Sequence, residues 1–234
     1  LSSVNHRMYS FNPESGRFSN VHRIHDHPTC LTFDGTNLWA SDPASICYAY
    51  NPEGNEREHF NAPAIVGLAS DRDRYLFGNE ASEEGEFNPI RVWNRDDYQE
   101  VATINYRHLV GGREVGSIDW NSDCLSGQLW VLAEGHVFQF FVNENWEVEL
   151  IQEFDVAADG PEVGLTHDGA NLWHGMREEN KWYKCDDGIG QVSWIILEPQ
   201  SGDIAQNEET EVFVTLDATL LMDGIYEAEI HILS

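Results

Sequence analysis

Positive charge is scarce in this sequence of 234 residues. Lysine and arginine together number 13, against 41 aspartates and glutamates, which gives a formal net charge of −28 at pH 7. A surface of this sign repels nucleic acid and anionic membranes, so we expect neither as a partner. The acidic residues are spread along the chain, which indicates a solubilising surface or a surface that meets a basic partner.

Long apolar runs and catalytic signatures are also missing. No run approaches the roughly 18 apolar residues of a membrane-spanning helix, so we expect no membrane insertion. No Ser-His-Asp order, phosphate loop or metalloprotease motif is present, and carboxylates are too numerous to single out one acid–base pair. The four cysteines include no C-x-x-C pair, which argues against a zinc ribbon or redox motif and leaves disulfide pairing open.

One motif recurs along the chain. Leu31–Trp39 reads LTFDGTNLW, Gly164–Trp173 reads GLTHDGANLW, and degraded copies span Gly67–Gly78 and Gly116–Leu132. Each copy predicts a strand, a tight polar turn such as Asp-Gly, and a second strand led by a Leu-aromatic pair. The tryptophans that end the first and fourth copies are 134 residues apart. Three repeats therefore average about 45 residues, the length of a four-stranded propeller blade.

A third, aromatic-rich strand follows most copies and ends in a turn with Asn or Asp. It recurs five times, at Met8–Gly16, Cys47–Gly54, Ile90–Asp97, Val137–Asn145 and Trp182–Gly188. The first unit lacks its opening strands, the last keeps three strands, and no helical periodicity appears. We therefore predict an all-β fold: a β-propeller of about five four-stranded blade units over residues 1–190, with the first and last units partial.

The recurring residues of the motif are interpreted as structural rather than catalytic. Asp-Gly pairs tolerate the positive φ of a tight turn, and tryptophan at a fixed repeat position indicates packing between blades. The residues assigned to this structural repeat are Asp34, Gly35, Leu38, Trp39, Trp130, Asp168, Gly169, Leu172 and Trp173.

The repeat resembles that of bacterial β-propellers of the NHL, YVTN and glutaminyl-cyclase-like kinds. In those repeats GLTFDG-x-NLW followed by IY-x-YDP-x-TG marks a blade, and the likeness covers roughly residues 1–188. The resemblance implies a propeller architecture and carries no catalytic residue over to this chain, because propellers host many unrelated functions.

Residues 191–234 change character and predict a short β-sandwich-like tail. The segment resembles the second half of the immunoglobulin-like modules of bacterial surface proteins. The positions that fit the pattern of those modules are Trp194, Pro199, Ser201, Gly202, Gly224, Tyr226, Ile230 and Ile232. An immunoglobulin-like domain needs about 100 residues, so the tail is a partial module.

Incomplete blades at both ends of the repeat leave strand edges exposed, and exposed edges invite pairing. The first blade could be completed by the tail of the same chain or by a second chain that closes a larger ring. We expect a homo-oligomer and favour a dimer.

Few residues suggest a metal site. His25 and His27, with Asp26 between them, could hold Zn²⁺, although polar residues are also expected in a connector between blades. The acidic turns at 70–74 and 155–160 could offer oxygens to Ca²⁺, but neither has the spacing of a dedicated calcium loop. We expect no cofactor.

The sequence favours a non-enzymatic scaffold of a bacterial secreted or surface protein, which binds a protein or glycan through loops on one propeller face. Two alternatives remain open: a propeller-type cyclase or hydrolase with its active site at the channel mouth, and a purely structural repeat of a larger adhesin. An enzyme would show converging polar side chains at that mouth.

Overall fold

The computed structural model describes the chain in several ranges. These are residues 7–12, 15, 17–24, 28–81, 89–122, 124, 127–156, 162–169, 171–176, 181–185, 187, 195–198 and 210–216. All regular elements in them are β-strands, paired antiparallel. The chain divides into two compact units, Leu1–Cys185 and Asp186–Ser234.

Among the described residues, the first unit has five sheets. The N-terminal sheet has two strands, three blades have four strands each, and the fourth blade has three. The N-terminal sheet and blade 1 comprise β1 (Arg7–Asn12), β2 (Arg17–Arg23), β3 (Cys30–Phe33), β4 (Leu38–Ser41), β5 (Ile46–Tyr50) and β6 (Glu56–Asn61). Blade 2 comprises β7 (Ile65–Ser70), β8 (Tyr75–Glu80), β9 (Ile90–Asn94) and β10 (Glu100–Ile104). Blades 3 and 4 comprise β11 (Val115–Trp120), β12 (Leu129–Ala133), β13 (His136–Val142), β14 (Val148–Asp155), β15 (Glu162–His167), β16 (Leu172–Met176) and β17 (Lys181–Cys185).

Each blade is a meander whose strands follow chain order from the opening strand outward. The opening strands lie side by side: β3 contacts β7, β7 contacts β11, and β11 contacts β15. This radial repetition of small antiparallel sheets is a β-propeller, so the predicted fold class is confirmed. Among the described residues, the first sheet has two strands and the last sheet of this unit has three, so the number of blades differs slightly from the roughly five units that the sequence predicted.

The core lies between blades rather than within them. Trp39 and Phe60 of blade 1 pack against Leu76 and Trp93 of blade 2, and all four side chains are buried. Between blades 2 and 3, Phe77 stacks on Trp120, with ring centroids 4.2 Å apart and planes at 7°. The stacked rings of Phe77 and Trp120 bury a large apolar area. An aromatic pair of this kind contributes roughly 0.5–1.5 kcal/mol beyond that burial.

A β-bulge recurs at one position of the opening strand in three blades. The register shifts between Ile65 and Gly67 in blade 2, between Val115 and Ser117 in blade 3, and between Glu162 and Gly164 in blade 4. Bulges bend a strand and increase its twist. They therefore let each opening strand follow the opening strands of the neighbouring blades.

The second unit contains one described sheet, in which β18 (Ile195–Glu198) pairs antiparallel with β19 (Phe213–Leu216). All four side chains of β19 are exposed. The residues that carry the immunoglobulin-like resemblance lie outside the described ranges. The domain assignment of 1–190 and 191–234 therefore stays a prediction.

The four cysteines, whose pairing the sequence left open, are free thiols. Burial raises the pKa of the Cys30 thiol to about 11, although a hydrogen bond with Ser41 opposes that rise. Burial also raises the pKa of Cys47. Both thiols are therefore protonated at neutral pH and are poor nucleophiles.

The closeness of neighbouring opening strands can be tested at two equivalent glycines. A Cβ at Gly67 would lie 2.8 Å from the backbone nitrogen of Ile118 in the next blade. A Cβ at Gly164 would meet nothing nearer than the ring of Trp182, at 3.3 Å, and that ring is half-exposed and able to shift. We expect Gly67→Ala to lower the free energy of unfolding by about 1–3 kcal/mol, because the backbone of β11 cannot yield. Gly164→Ala is the matched control and should cost less than about 1 kcal/mol in urea unfolding. Equal costs would contradict the close approach of β7 and β11.

Candidate functional site

The turns that join the first and second strands of each blade form a polar surface at one end of the first unit. We call this surface the turn face. It comprises residues 34–37, 71–74, 121–122, 168–169 and 171, together with the turns between third and fourth strands at 51–55, 94–99 and 143–147.

The turn in blade 1 is built around the carboxylate of Asp34. Its Oδ1 accepts hydrogen bonds from the backbone N–H groups of Thr36 and Asn37 at 2.8 and 2.6 Å. Its Oδ2 accepts one from the indole N–H of Trp39 at 2.7 Å. The next residue, Gly35, has a φ of +90°, which a side chain with a Cβ rarely adopts. This clamp explains why the motif pairs Asp-Gly with a tryptophan five residues after the Asp.

Blade 4 repeats the clamp on an exposed turn. Asp168 Oδ1 accepts from the backbone N–H of Asn171, and its Oδ2 accepts from the indole N–H of Trp173, both at 2.7 Å. Gly169 has a φ of +96°. Leu38 and Leu172, the leucines before the two tryptophans, pair with the third strands of their blades at Tyr50 and Cys185.

The blade 2 and blade 3 turns depart from the clamp in different ways. In blade 2, Asp71 Oδ1 accepts three backbone N–H groups, from residues 73, 74 and 75. In blade 3, Asn121 stands at the Asp position, as the bond from its N–H to the carbonyl of Gln128 shows. Trp130, at the tryptophan position, is fully buried, and its indole N–H has no hydrogen-bond partner among the described residues. The clamp is therefore complete in blades 1 and 4, where an aspartate at the start of the turn accepts the hydrogen bond from the indole N–H.

Hydrogen bonds also link each of these turns to the next. Arg95 Nη1 donates to the carbonyl of Asp34 at 3.0 Å and lies 3.5 Å from that of Arg72. The Ser122 hydroxyl donates to the carbonyl of Asp71 at 2.7 Å. These bonds connect the turns of blades 1, 2 and 3 to one another.

The link from blade 3 to blade 4 passes through His167. Its Nδ1 accepts from the backbone N–H of Gly169 and lies 3.0 Å from Asn121 Nδ2. Its backbone N–H donates to Asp119 Oδ2 at 2.5 Å, and its ring stacks on Trp130. Sequence reasoning missed Arg95, Asn121 and Ser122, because none of them is a fixed letter of the repeat.

Two further histidines have structural surroundings. His174 is buried and stacks on Tyr183, and burial lowers the pKa of its imidazole. His136 lies 2.6 Å from Asp155 on the neighbouring strand.

The predicted zinc ligands His25, Asp26 and His27 lie outside the described residues, and so does most of the turn at 155–160. In the other turn considered for Ca²⁺, residues 70–74, Asp71 Oδ1 accepts hydrogen bonds from three backbone N–H groups and so points into the turn.

No group of three or more metal-ligating side chains occurs in the part of the chain that the structure describes. Within the same ranges, no helix is long and apolar enough to cross a membrane. The charged side chains that remain exposed on the turn face include Glu53, Asp73, Arg74, Asp96 and Glu144. The turn face therefore presents charged side chains of both signs on turns that hydrogen bonds connect.

No protein-family model and no curated protein sequence matches this chain. Among solved structures, a chain in the crystal structure of a mitotic checkpoint complex is similar at 15% identity, with a TM-score of 0.47 over 78% of this chain and 71% of that chain. A chain of Kuenenia stuttgartiensis hydrazine synthase is similar at 11% identity, also with a TM-score of 0.47. That match covers 72% of this chain and 49% of the other, so this chain spans about half its length. These likenesses are too distant to assign a function, and the propeller assignment rests on the strand pairing described above.

The clamp can be tested with one substitution at two equivalent positions. Asp34→Asn keeps an oxygen for the turn but turns a donor toward the buried indole N–H of Trp39, so we expect it to lower the free energy of unfolding by about 1–3 kcal/mol. Asp168→Asn makes the same change where the carboxylate is exposed, and should cost under about 1 kcal/mol because water can substitute. Urea unfolding of both variants measures the two changes in unfolding free energy. Equal changes would show that burial of the aspartate does not determine the cost of the substitution.

Asp119 generates a prediction about pH. Burial raises the pKa of its carboxyl to about 6, and hydrogen bonds from the backbone N–H groups of His167 and Trp120 only partly oppose that shift. Because the folded state binds this proton more tightly than the unfolded state, the contribution of Asp119 to stability falls as pH rises from about 4 to about 6. We expect Asp119→Asn to remove this pH-dependent loss, which amounts to up to about 3 kcal/mol of unfolding free energy. The difference in unfolding free energy between the variant and wild type should therefore grow as the pH rises from about 4 to about 6. A constant difference between pH 4 and 7 in urea unfolding would contradict the raised pKa.

Proposed function

We propose that this chain is a non-enzymatic interaction scaffold, of the kind found in bacterial secreted or surface proteins with NHL- or YVTN-like propellers. It binds a protein or glycan through the turn face. The observation that carries the proposal is the linkage of the turns of successive blades by Arg95, Ser122 and His167. A surface fixed before binding loses little conformational entropy when a partner docks.

The chemistry of the turn face favours a partner with basic groups. Asp73 and Asp96 are exposed on neighbouring turns of blade 2, and the whole chain carries a net charge of −28. Such a field speeds the encounter with a cationic surface and slows the approach of an anionic one. Among protein and glycan partners, a segment rich in Lys or Arg fits this face best.

The proposed binding can be tested with a phage-displayed peptide library and a glycan array as probes. We expect selected peptides to be enriched in Lys and Arg, and their affinity to fall at least about tenfold in the Asp73→Asn/Asp96→Asn variant, as two neutralised contacts would predict. Glu149→Gln/Glu153→Gln is the matched control, because it removes two exposed charges from the outer strand β14. Biolayer interferometry at two salt concentrations measures both variants. Equal affinity in the two, or no enrichment from either probe, would count against the turn face.

We also propose that the chain forms a homodimer. The support is the incompleteness of the first and last sheets, which have two and three described strands where the blades between them have four. A strand edge that no further strand covers favours association between chains. Light scattering at micromolar concentration should give twice the chain mass of 26.6 kDa, and a mass equal to that of one chain would contradict the proposal.

A further inference from the structure

Three aromatic side chains lie together at the turn face, where blade 2 meets blade 3. Tyr75 begins β8, Trp120 ends β11, and Trp146 lies in the turn between β13 and β14. Tyr75 and Trp146 meet edge to face, with ring centroids 5.0 Å apart and planes at 84°. Buried Phe77 contacts all three rings, since its own centroid lies between 4.2 and 6.5 Å from theirs. All three side chains remain partly exposed, and we call them the aromatic corner.

The boundary between blades 1 and 2 has polar residues at two of the three equivalent positions. The backbone hydrogen bond that closes each turn places Asn37 in blade 1 where Tyr75 lies in blade 2. Strand pairing places Ser70 of β7 where Trp120 lies in β11, because each pairs with a leucine of the second strand. Neighbouring blades therefore pack in this protein without aromatic rings at these two positions, so the rings of the aromatic corner need a further explanation.

Trp146 has a backbone conformation that suits glycine. Its φ is +64°, and blade 1 has Gly54, with a φ of +79°, at the same position of the turn. Tyr98, at that position in blade 2, stacks on buried Phe60, whereas the ring of Trp146 meets the partly exposed Tyr75. A large side chain in this region costs conformational energy, and residues strained in this way cluster at ligand sites.

The surroundings of the aromatic corner suit a cation. Arg74 Cζ lies 5.2 Å from the ring centroid of Tyr75, so one face of that ring already receives a positive charge. The exposed carboxylates of Asp73 and Glu144 belong to the turns beside Tyr75 and Trp146, in a chain of net charge −28. Aromatic rings that meet at large angles present their negative faces to a compact cation from more than one side.

We infer that the aromatic corner binds an organic ammonium group, and that a lysine side chain of the basic partner supplies it. The source of the ammonium group rests on the proposed function, whereas the site itself is defined by the three rings. The ammonium group would lie against the faces of Trp120 and Trp146. Arg74 would compete with it, because two cations at one corner repel each other.

The test follows the indole N–H signals of the full chain by heteronuclear NMR during titration with choline and with dimethylbutanol, its uncharged isostere. We expect the signals of Trp120 and Trp146 to shift, and choline to bind at least about fivefold more tightly, since the ring faces attract only the cation. A tripeptide of glycine, lysine and glycine should shift the same signals, and its norleucine analogue should not.

Three variants locate the site. Trp146→Gly introduces the residue that blade 1 has at this position and should weaken choline binding at least about fivefold, because one ring is lost. Trp182→Ala is the control, since it removes an exposed indole from blade 4 and should leave the affinity unchanged. Arg74→Gln changes only an exposed side chain and should tighten binding about twofold or more, as it removes the competing cation. This third variant keeps the test decisive if Trp146→Gly does not fold.

Four results would overturn the inference. They are no saturable shift up to about 50 mM choline, equal affinity for the uncharged isostere, equal weakening in the two tryptophan variants, and weaker binding in Arg74→Gln. Choline binding without binding of the lysine tripeptide would overturn the assignment to lysine. The small probes need no partner, so failure of the peptide selection on the turn face would leave the choline result in place. Conversely, selected peptides that depend on Asp73 and Asp96 while choline fails to bind would sustain the proposed function and exclude this site.

Discussion

Lateral packing between neighbouring blades is the constraint on which the rest of the structure depends. No single blade of four short strands buries enough apolar surface to be stable alone. The second strand of one blade supplies an aromatic side chain that meets the opening strand of the next, as Phe77 meets Trp120 and Trp130 meets His167. The close approach at Gly67 and the repeated bulges of the opening strands follow from this need.

The sequence predicted the propeller fold because the repeat encodes local chemistry. Asp34 and Asp168 are recognisable since each must cap its own turn and bind an indole five residues later. The contacts between turns could not be predicted in the same way. Arg95 reaches Asp34 from 61 residues away, and a pairing of that kind follows only from how blades are arranged in space.

The repeat also explains where the pattern changes. Asn121 in place of aspartate leaves Trp130 without its acceptor but gives His167 an amide neighbour, so blade 3 exchanges an internal clamp for a contact with blade 4. This departure from the repeat therefore marks a contact between blades.

The most direct test of this account is a double-mutant cycle on Phe77 and Trp120, which stack across the boundary between blades 2 and 3 at 4.2 Å. Urea unfolding of the two alanine variants and of the double variant gives their coupling energy. If packing between blades holds the propeller together, the coupling should be about 1 kcal/mol or more. Additive losses, within about 0.3 kcal/mol, would show that the two rings do not meet and would contradict the arrangement of the blades.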